Sequence, residues 1–317
     1  MSLAAFFATA LLGLSAQNSP PQASSSEPVE IEDVIVNGRR FEEAAGRFVS
    51  EVANPAGTRG LARWRNGVCV GVVNLRADVA QHITDRVSAV AVDLGLRAGG
   101  PGCRPNITIT ASDDASGLAA SLVDQSFRSF HTGGGGTDQG RSRLDAFITE
   151  ERPVRWWHVS YPGNAETGEI AGRLPGFYDI KGMGLNGSDI MSYAPSVRTT
   201  SASRLRSSVS DFLFQVIIIV DADKVASASL DQLSDYLSMV AFAQIDPSGQ
   251  TQEFSTILNL FDEAVATPTG LTSWDKAYLS GLYKSDLTRI QIGNQRSALT
   301  TAALAAKAKA DQPKTVN

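Results

Sequence analysis

The sequence predicts an α+β fold in which a mixed β-sheet packs with a central buried helix and is followed by a helical C-terminal part. Three patterns support this prediction. A strand, an amphipathic helix and a second strand follow one another over residues 68–111, an apolar strand at Phe214–Val220 precedes a strongly apolar helix, and a capped helix begins after Thr272. The chain has 317 residues, 43% of them hydrophobic and 19% charged, so it can bury a sizeable core.

The charge balance argues against a general nucleic-acid-binding protein. The chain carries 28 Lys and Arg against 33 Asp and Glu, a formal charge of −5. Binding nucleic acid needs a basic face that neutralises phosphates. We therefore expect no nucleic-acid partner.

The N-terminus has the pattern of an export signal. An apolar run from Leu3 to Leu14 is too short to cross a bilayer, which needs about 20 residues, but it has the length of a signal-peptide core. Two small residues follow it, so we predict a signal peptide over residues 1–16, with a frayed or buried N-terminal helix as the alternative. Residues 17–30 are rich in Ser, Pro and Gln and predict a disordered tether. We expect a periplasmic or secreted bacterial protein that does not span the membrane after signal cleavage.

The two cysteines, Cys69 and Cys103, are flanked by small and turn-forming residues. An even cysteine count in an exported chain favours a disulfide, which stabilises by about 2–4 kcal/mol, mostly by restricting the unfolded chain. Two thiols without further ligands make a zinc site improbable. A pair of buried free cysteines is the alternative.

A single domain is predicted over residues 31–296, with an Ala/Lys-rich tail over residues 297–317. The first segment of the domain, Ile31–Arg40, alternates weakly and ends in Asn-Gly, which predicts a strand and a turn. The tail has helix-forming residues but, on the sequence alone, little to pack against.

The elements between these ends follow from periodicity and turn residues. Residues 175–200 contain many Gly, Ser and Thr and predict a long irregular segment, of the kind that is usually functional or mobile. The other elements predicted before residue 200 are the strands Val68–Val73, Asn106–Ala111, Val154–Tyr161 and Glu169–Leu174 and the helices Ala77–Leu94, Gly117–Phe130 and Leu144–Ile148.

The last third of the chain is the most regular. Ser229 and Gln232 have the spacing of a capping box for a helix that runs to about Ile245. Apolar residues surround most of this helix, so it should lie deep in the domain. Thr272 and Asp275 form a second capping box, which begins a helix through Tyr283.

The stretch from Phe212 to Lys284 resembles the C-terminal half of zincin-type metallopeptidases, and the whole chain resembles uncharacterised secreted proteins of proteobacteria. The shared order is a strand, a central buried helix, a tight turn at Ser255–Asn259 and a terminal helix. The residues that match the recurrent pattern Leu-Thr/Ser-x-x-Asp-x-x-x-Leu/Ile-x-x-Leu-Tyr of the terminal helix are Leu271, Thr272, Asp275, Leu279, Leu282 and Tyr283. Because these are capping and packing positions, the resemblance implies the fold and says little about activity.

The zinc-binding residues of that family have no counterpart here. Zincins place two histidines at i and i+4 of one helix, with a glutamate beside the first as general base. The corresponding positions in the best alignment are Asp235, Tyr236 and Met239. A thioether is a poor zinc ligand and a phenol is a poor base at neutral pH. No His or Cys occurs from Val159 onward, so we expect no metal, no cofactor and no catalytic residue.

Other candidate residues offer weaker chemistry. Asp221 and Asp223 follow an apolar strand and have the spacing of carboxylates that share a divalent cation, although acidic residues after strands are common. Trp156, His158 and Tyr161 could line a groove for a peptide or a glycan, or serve only in packing. Trp156 and His158 should face one side of their strand, and Trp157 the other.

We conclude that the sequence favours an exported, non-catalytic protein of zincin-like architecture that acts in binding or as a structural component of the cell envelope. Its partner would be a protein, peptide or glycan of that envelope. The alternative is an active hydrolase that uses acidic residues such as Asp221, Asp223 and Asp235, with a cation held by oxygen ligands.

Overall fold

A computed structural model of the chain describes residues 31–56, 59–130, 139–173, 195–199 and 203–310. The predicted signal peptide and tether, and most of the irregular segment predicted at 175–200, lie outside these residues. The chain divides into two units, 1–39 and 40–317. None of the helices in the described part is long and apolar enough to cross a membrane.

The described part of the chain combines helices with short and long strands, in an α+β order. The helices are α1 (Ile31–Val52), α2 (Ala77–Asp93), α3 (Ala115–Gln125), α4 (Phe127–Phe130), α5 (Arg141–Thr149), α6 (Leu230–Phe242), α7 (Ser273–Lys284) and α8 (Ile292–Ala310), with a single 3-10 turn at Ile257–Asn259. The strands are β1 (Gly67–Val68), β2 (Val70–Val73), β3 (Arg97–Ala98), β4 (Ile107–Ser112), β5 (Val154–Asn164), β6 (Gly172–Arg173), β7 (Pro195–Ser196) and β8 (Val209–Asp221).

The main sheet has four strands in the order β2-β4-β8-β5. Strands β2, β4 and β8 run parallel to one another, whereas β5 at the edge is antiparallel to β8, so the sheet is mixed as predicted. The long apolar run of β8 fits its central place, because a strand covered on both faces reads as continuous hydrophobic sequence. Two-stranded pairings, β1 with β3 and β6 with β7, lie outside this sheet.

The two faces of the sheet bury separate apolar clusters. The larger cluster joins α2, α6, α7 and the C-terminal part of α1 to one face, with Phe48, Leu237 and Tyr278 among its members. The smaller one joins α3 and α5 to the other face, around Phe130 and Trp157. Helix α6 lies within the larger cluster, and every residue from Leu233 to Phe242 is buried.

The strand predicted at Ile31–Arg40 is wrong, because this segment is the first part of helix α1. The physical reason lies further along the chain. Ala45, Phe48, Val49 and Val52 are buried at spacings of three and four residues, which makes one apolar helical face. The helix that this face stabilises extends back through the Asn-Gly pair, which in isolation is typical of a turn.

The C-terminal tail does find a surface to pack against. Helix α8 begins at Ile292, inside the predicted domain, and packs along α7, with Leu299 fully buried and Ala303 7% exposed. Gly281 of α7 makes this close packing possible, since a Cβ there would lie 2.8 Å from the backbone nitrogen of Ala303.

The predicted disulfide between Cys69 and Cys103 is present, with a Cα–Cα distance of 6.0 Å. Cys69 lies between β1 and β2, and Cys103 lies in the turn after β3. The bond therefore closes a loop that contains all of helix α2.

We expect Gly281→Ala to lower the free energy of unfolding by about 1–3 kcal/mol, because the added methyl group overpacks the α7–α8 contact. Gly293→Ala in α8 is the matched control, since a Cβ there meets no atom within 4 Å. The control should be neutral or slightly stabilising, because Ala has the higher helix propensity. Urea unfolding of both variants tests this, and equal stabilities would contradict it.

Candidate functional site

The candidate site is built around α6, the helix that carries Asp235, Tyr236 and Met239, the residues singled out by the sequence resemblance. Its N-terminus is fixed by the predicted capping box: the Ser229 hydroxyl accepts a hydrogen bond from the Gln232 backbone, and the Gln232 side chain accepts one from the Ser229 backbone. The hydroxyls of Ser234 and Ser238 donate to the carbonyl oxygens of Leu230 and Ser234, which satisfies these buried groups within the helix. These two buried serines therefore need no partner outside the helix.

Asp235 lies on the side of α6 that faces α2. Its carboxylate accepts two hydrogen bonds from Arg86, from Nε at 2.6 Å and from Nη2 at 3.0 Å. The backbone N–H of Leu271, just before α7, donates to the same carboxylate at 2.8 Å. The Asp235 side chain is only 4% exposed, so both oxygens are held by the protein itself.

Tyr236 lies on a different side of α6, against aromatic rings. Its ring packs edge-on to Trp156 at 6.3 Å between centroids and to Phe261 at 5.2 Å. Burial raises the pKa of the phenol above its ordinary value, so the group stays protonated at neutral pH. Met239 is fully buried in the core. The three positions Asp235, Tyr236 and Met239 thus contribute an ion pair, an aromatic contact and packing.

The acidic residues after β8 have partners of their own. Asp221 is 7% exposed and its carboxylate lies 3.1 Å from Lys224 Nζ, which also pairs with Glu151. Asp223 is exposed in the turn that follows. Among the residues described by the structure, no group of three or more His, Cys, Asp or Glu side chains could hold a metal ion. The geometry therefore does not combine Asp221, Asp223 and Asp235 into one oxygen-ligand site.

Strand β5 places the two tryptophans on opposite faces, as its alternation predicts. Trp156 packs with the α6 cluster and donates from Nε1 to the carbonyl oxygen of Ile245. Trp157 belongs to the other cluster and donates to the carbonyl oxygen of Phe130. His158 shares the α6 face with Trp156 and is fully buried, with Nε2 2.8 Å from the carbonyl oxygen of Val240.

Tyr161 lies away from Trp156 and His158, beyond an irregularity in the β5–β8 pairing. Its ring contacts Phe212 and Phe214, and its hydroxyl donates to the carbonyl oxygen of Gly168 at 3.3 Å. The structure therefore does not combine Trp156, His158 and Tyr161 into one groove. Trp156 and Tyr161 instead line two different cavities.

The cavity beside Trp156 has a volume of about 240 Å³ and lies at the outer edge of β5. Helix α5 forms one wall and the segment Asp246–Ser248 after α6 forms the other. Both tryptophans reach it, together with charged side chains of both signs. Its described lining residues are Gln139, Arg143, Ala146, Phe147, Glu150, Arg152, Arg155, Trp156, Trp157, Asp246, Pro247 and Ser248.

The turn at Ile257–Asn259 is joined to α7 by one buried carboxylate. Asp275 accepts hydrogen bonds from the Thr256 hydroxyl at 2.5 Å and the Ile257 N–H at 2.8 Å, besides those of its capping box with Thr272. Desolvation raises the pKa of Asp275, while these donors act in the opposite direction. The capping residue predicted from sequence therefore also fixes the turn that follows α6.

Two residues that sequence patterns did not single out complete the site. Arg86 supplies the charge that Asp235 binds, and Phe261 covers Tyr236. Helical periodicity places Arg86 on the outer side of α2, but its partner is 149 residues away along the chain. A pattern of neighbouring residues therefore cannot predict the Arg86–Asp235 ion pair.

Comparison with models of protein families, with curated proteins and with solved structures finds no match to this chain.

We expect Asp235→Ala to reduce the free energy of unfolding by about 2–4 kcal/mol, because it leaves the Leu271 N–H and the Arg86 guanidinium without their acceptor. Asp231→Ala on the same helix is the control, since its pair with His82 is largely exposed and such pairs contribute little. Chemical denaturation measures both. A loss for Asp231→Ala as large as that for Asp235→Ala would contradict this role.

A pH dependence should follow from His158. Burial lowers the pKa of His158 from 6.5 to about 4, so above pH 6.5 both folded and unfolded chains hold it neutral. Between pH 6.5 and 4, His158 binds a proton in the unfolded chain but stays neutral in the folded chain. The free energy of unfolding should therefore fall as the pH falls through this window, by about 3 kcal/mol in total.

Denaturation curves of His158→Gln between pH 4 and 7 should lack this component, whereas His82→Gln, at an exposed position, should keep it. An unchanged slope in His158→Gln would assign the pH dependence to other groups.

Proposed function

We propose that this chain is an exported protein of zincin-like architecture that binds an extended peptide and does not hydrolyse it. The observation that carries the proposal is the Asp235 carboxylate, which is occupied by Arg86 and the Leu271 N–H at the position where the resemblance puts a zinc ligand. The neighbouring Tyr236 is enclosed between Trp156 and Phe261. A helix face committed to internal contacts offers no ligand set for a catalytic metal.

The order of elements supports the architectural part of the proposal. A buried strand, β8, leads into the central helix α6, then into the turn at Ile257–Asn259 and the capped helix α7. Asp275, a position of the recurrent family pattern, joins the last two of these elements through its hydrogen bonds. The disulfide supports export, since such bonds persist in oxidising compartments.

The outer edge of β5 near Trp156, which is unpaired within the described part of the chain, supports a peptide as the ligand. The Asp221 N–H donates to the Pro153 carbonyl oxygen, so the alternation of an antiparallel ladder turns the backbone groups of Trp156 and His158 away from β8. No described residue bonds to these outward groups. An unpaired strand edge is a template for an added strand.

At the C-terminal end of β5, a segment of the chain itself pairs with this outer edge. The outward backbone groups of Pro162 and Asn164 bond to Ala171 and Glu169, at 2.9 and 2.8 Å. A peptide bound beside Trp156 would continue the same kind of pairing. Its alternate side chains would enter the 240 Å³ cavity between α5 and the segment after α6.

The test combines zinc analysis, casein cleavage and peptide binding with the purified full chain. We expect no stoichiometric zinc and no cleavage of fluorescent casein. We expect binding to some members of an array of overlapping casein peptides, and loss of that binding when the backbone nitrogens of alternate peptide residues are methylated, because strand addition needs their N–H groups.

Two variants of α5 locate the binding. Ala146→Trp should abolish it by filling the cavity, whereas Thr149→Trp, at an exposed position of the same helix outside the cavity, should not. Stoichiometric zinc with casein cleavage would overturn the non-catalytic assignment. Failure of every peptide to bind, or equal binding by both variants, would overturn the peptide assignment.

A further inference from the structure

A β-bulge in β8 turns an aromatic side chain out of the main sheet. Val159 pairs with Gln215 and the next residue, Ser160, pairs with Leu213, so Phe214 has no partner on β5. Its side chain is 56% exposed, on a strand whose other apolar residues are almost all buried. Bulges re-aim side chains and are frequent beside functional sites.

Phe214 lines a cleft of about 410 Å³, which we call the bulge cleft. The cleft lies where two neighbours of β8 leave a gap. Strand β4 pairs with β8 only from Val216 onward, and the segment before β1 bonds to it at Leu213. Tyr161 forms an aromatic wall, with its ring edge-on to Phe214 at 84° and 6.4 Å between centroids.

Three planar polar side chains of the bulge cleft have no described partner, whereas a fourth, Asn106, is held by the Cys69 N–H and the Gly67 carbonyl oxygen. Asn66, Arg104 and Gln215 line it, and none of the three side chains forms a hydrogen bond or ion pair with any described residue. Arg65 adds a second positive charge, although its guanidinium already donates to carbonyl oxygens of the loop after β5. No Asp or Glu is among the described lining residues, so the cleft is positively charged in a chain of net charge −5.

We propose that the bulge cleft binds an oligosaccharide that carries carboxylate groups. The exposed Phe214 ring offers an apolar face for the C–H face of a pyranose ring. The amides of Asn66 and Gln215 can donate to and accept from sugar hydroxyls, and Arg104 can bind a carboxylate with two parallel hydrogen bonds. The volume lies in the range of small-molecule sites, about 300–1,000 Å³.

The aromatic wall distinguishes this ligand from an acidic peptide. An acidic peptide would satisfy Arg65 and Arg104, but its flexible chain presents no flat apolar face to Phe214. The bulge cleft also lacks a strand edge like that of β5 beside Trp156, because Leu213 is already bonded to Arg63. The two proposed sites therefore recognise different chemistry and can be tested separately.

Isothermal titration of the full chain with tetragalacturonate tests the proposal, with cellotetraose as the neutral probe and hexaglutamate as the acidic peptide. We expect tetragalacturonate to bind most tightly. Phe214→Ala should weaken its binding by at least about fivefold, and Phe214→Trp should retain it, because the larger ring keeps the stacking surface. Arg104→Gln should weaken tetragalacturonate by about tenfold and cellotetraose little, since a charge-assisted hydrogen bond is lost only with the acid.

A charge removed elsewhere in the chain is the control for Arg104→Gln. Arg141→Gln removes an exposed charge outside the bulge cleft and should leave tetragalacturonate binding unchanged. The unfolding temperatures of the Phe214 variants should stay near that of the parent chain, because the side chain is largely exposed. No binding of tetragalacturonate, full binding by Phe214→Ala, or equally tight binding of hexaglutamate would overturn the proposal.

Discussion

The burial of α6 on all sides from Leu233 to Phe242 is the constraint on which the rest of the structure depends. A helix enclosed in this way must find internal partners for every polar group, since an unsatisfied buried group costs stability. The serine hydroxyls donate to carbonyl oxygens within the helix. The Asp235 carboxylate accepts hydrogen bonds from Arg86 of α2 and from the Leu271 N–H before α7. The positions of α2 and of the segment before α7 are thus fixed by hydrogen bonds to the Asp235 carboxylate as well as by apolar packing.

Much of the fold could be predicted because its signals are local. The capping boxes at Ser229 and Thr272, the β-α-β pattern and the apolar run of β8 each depend on residues a few positions apart, and each corresponds to an element of the structure. Helix α2 agrees with its predicted span to within one residue. The disulfide was predictable as well, because two cysteines allow one pairing.

The remaining features depend on contacts between distant parts of the chain. Helix α8 packs closely on α7 because Gly281 has no side chain at the contact. A glycine inside a helical pattern does not indicate which distant segment will pack against it. At the candidate site, Trp156 meets Tyr236 across 80 positions of sequence, and Phe214 is exposed only because β5 and β8 differ by one residue in their pairing. Periodicity alone would place Phe214 with its buried neighbours.

The loop closed by Cys69 and Cys103 contains α2, and α2 carries the arginine that neutralises Asp235. The covalent bond therefore limits how far this helix can detach in a local opening of the native state. In a reducing compartment the same helix would be held by its packing and by non-covalent contacts such as the Arg86–Asp235 ion pair, and its detachment would leave the Asp235 carboxylate without the guanidinium. The disulfide thus helps to keep this carboxylate paired with its counter-charge.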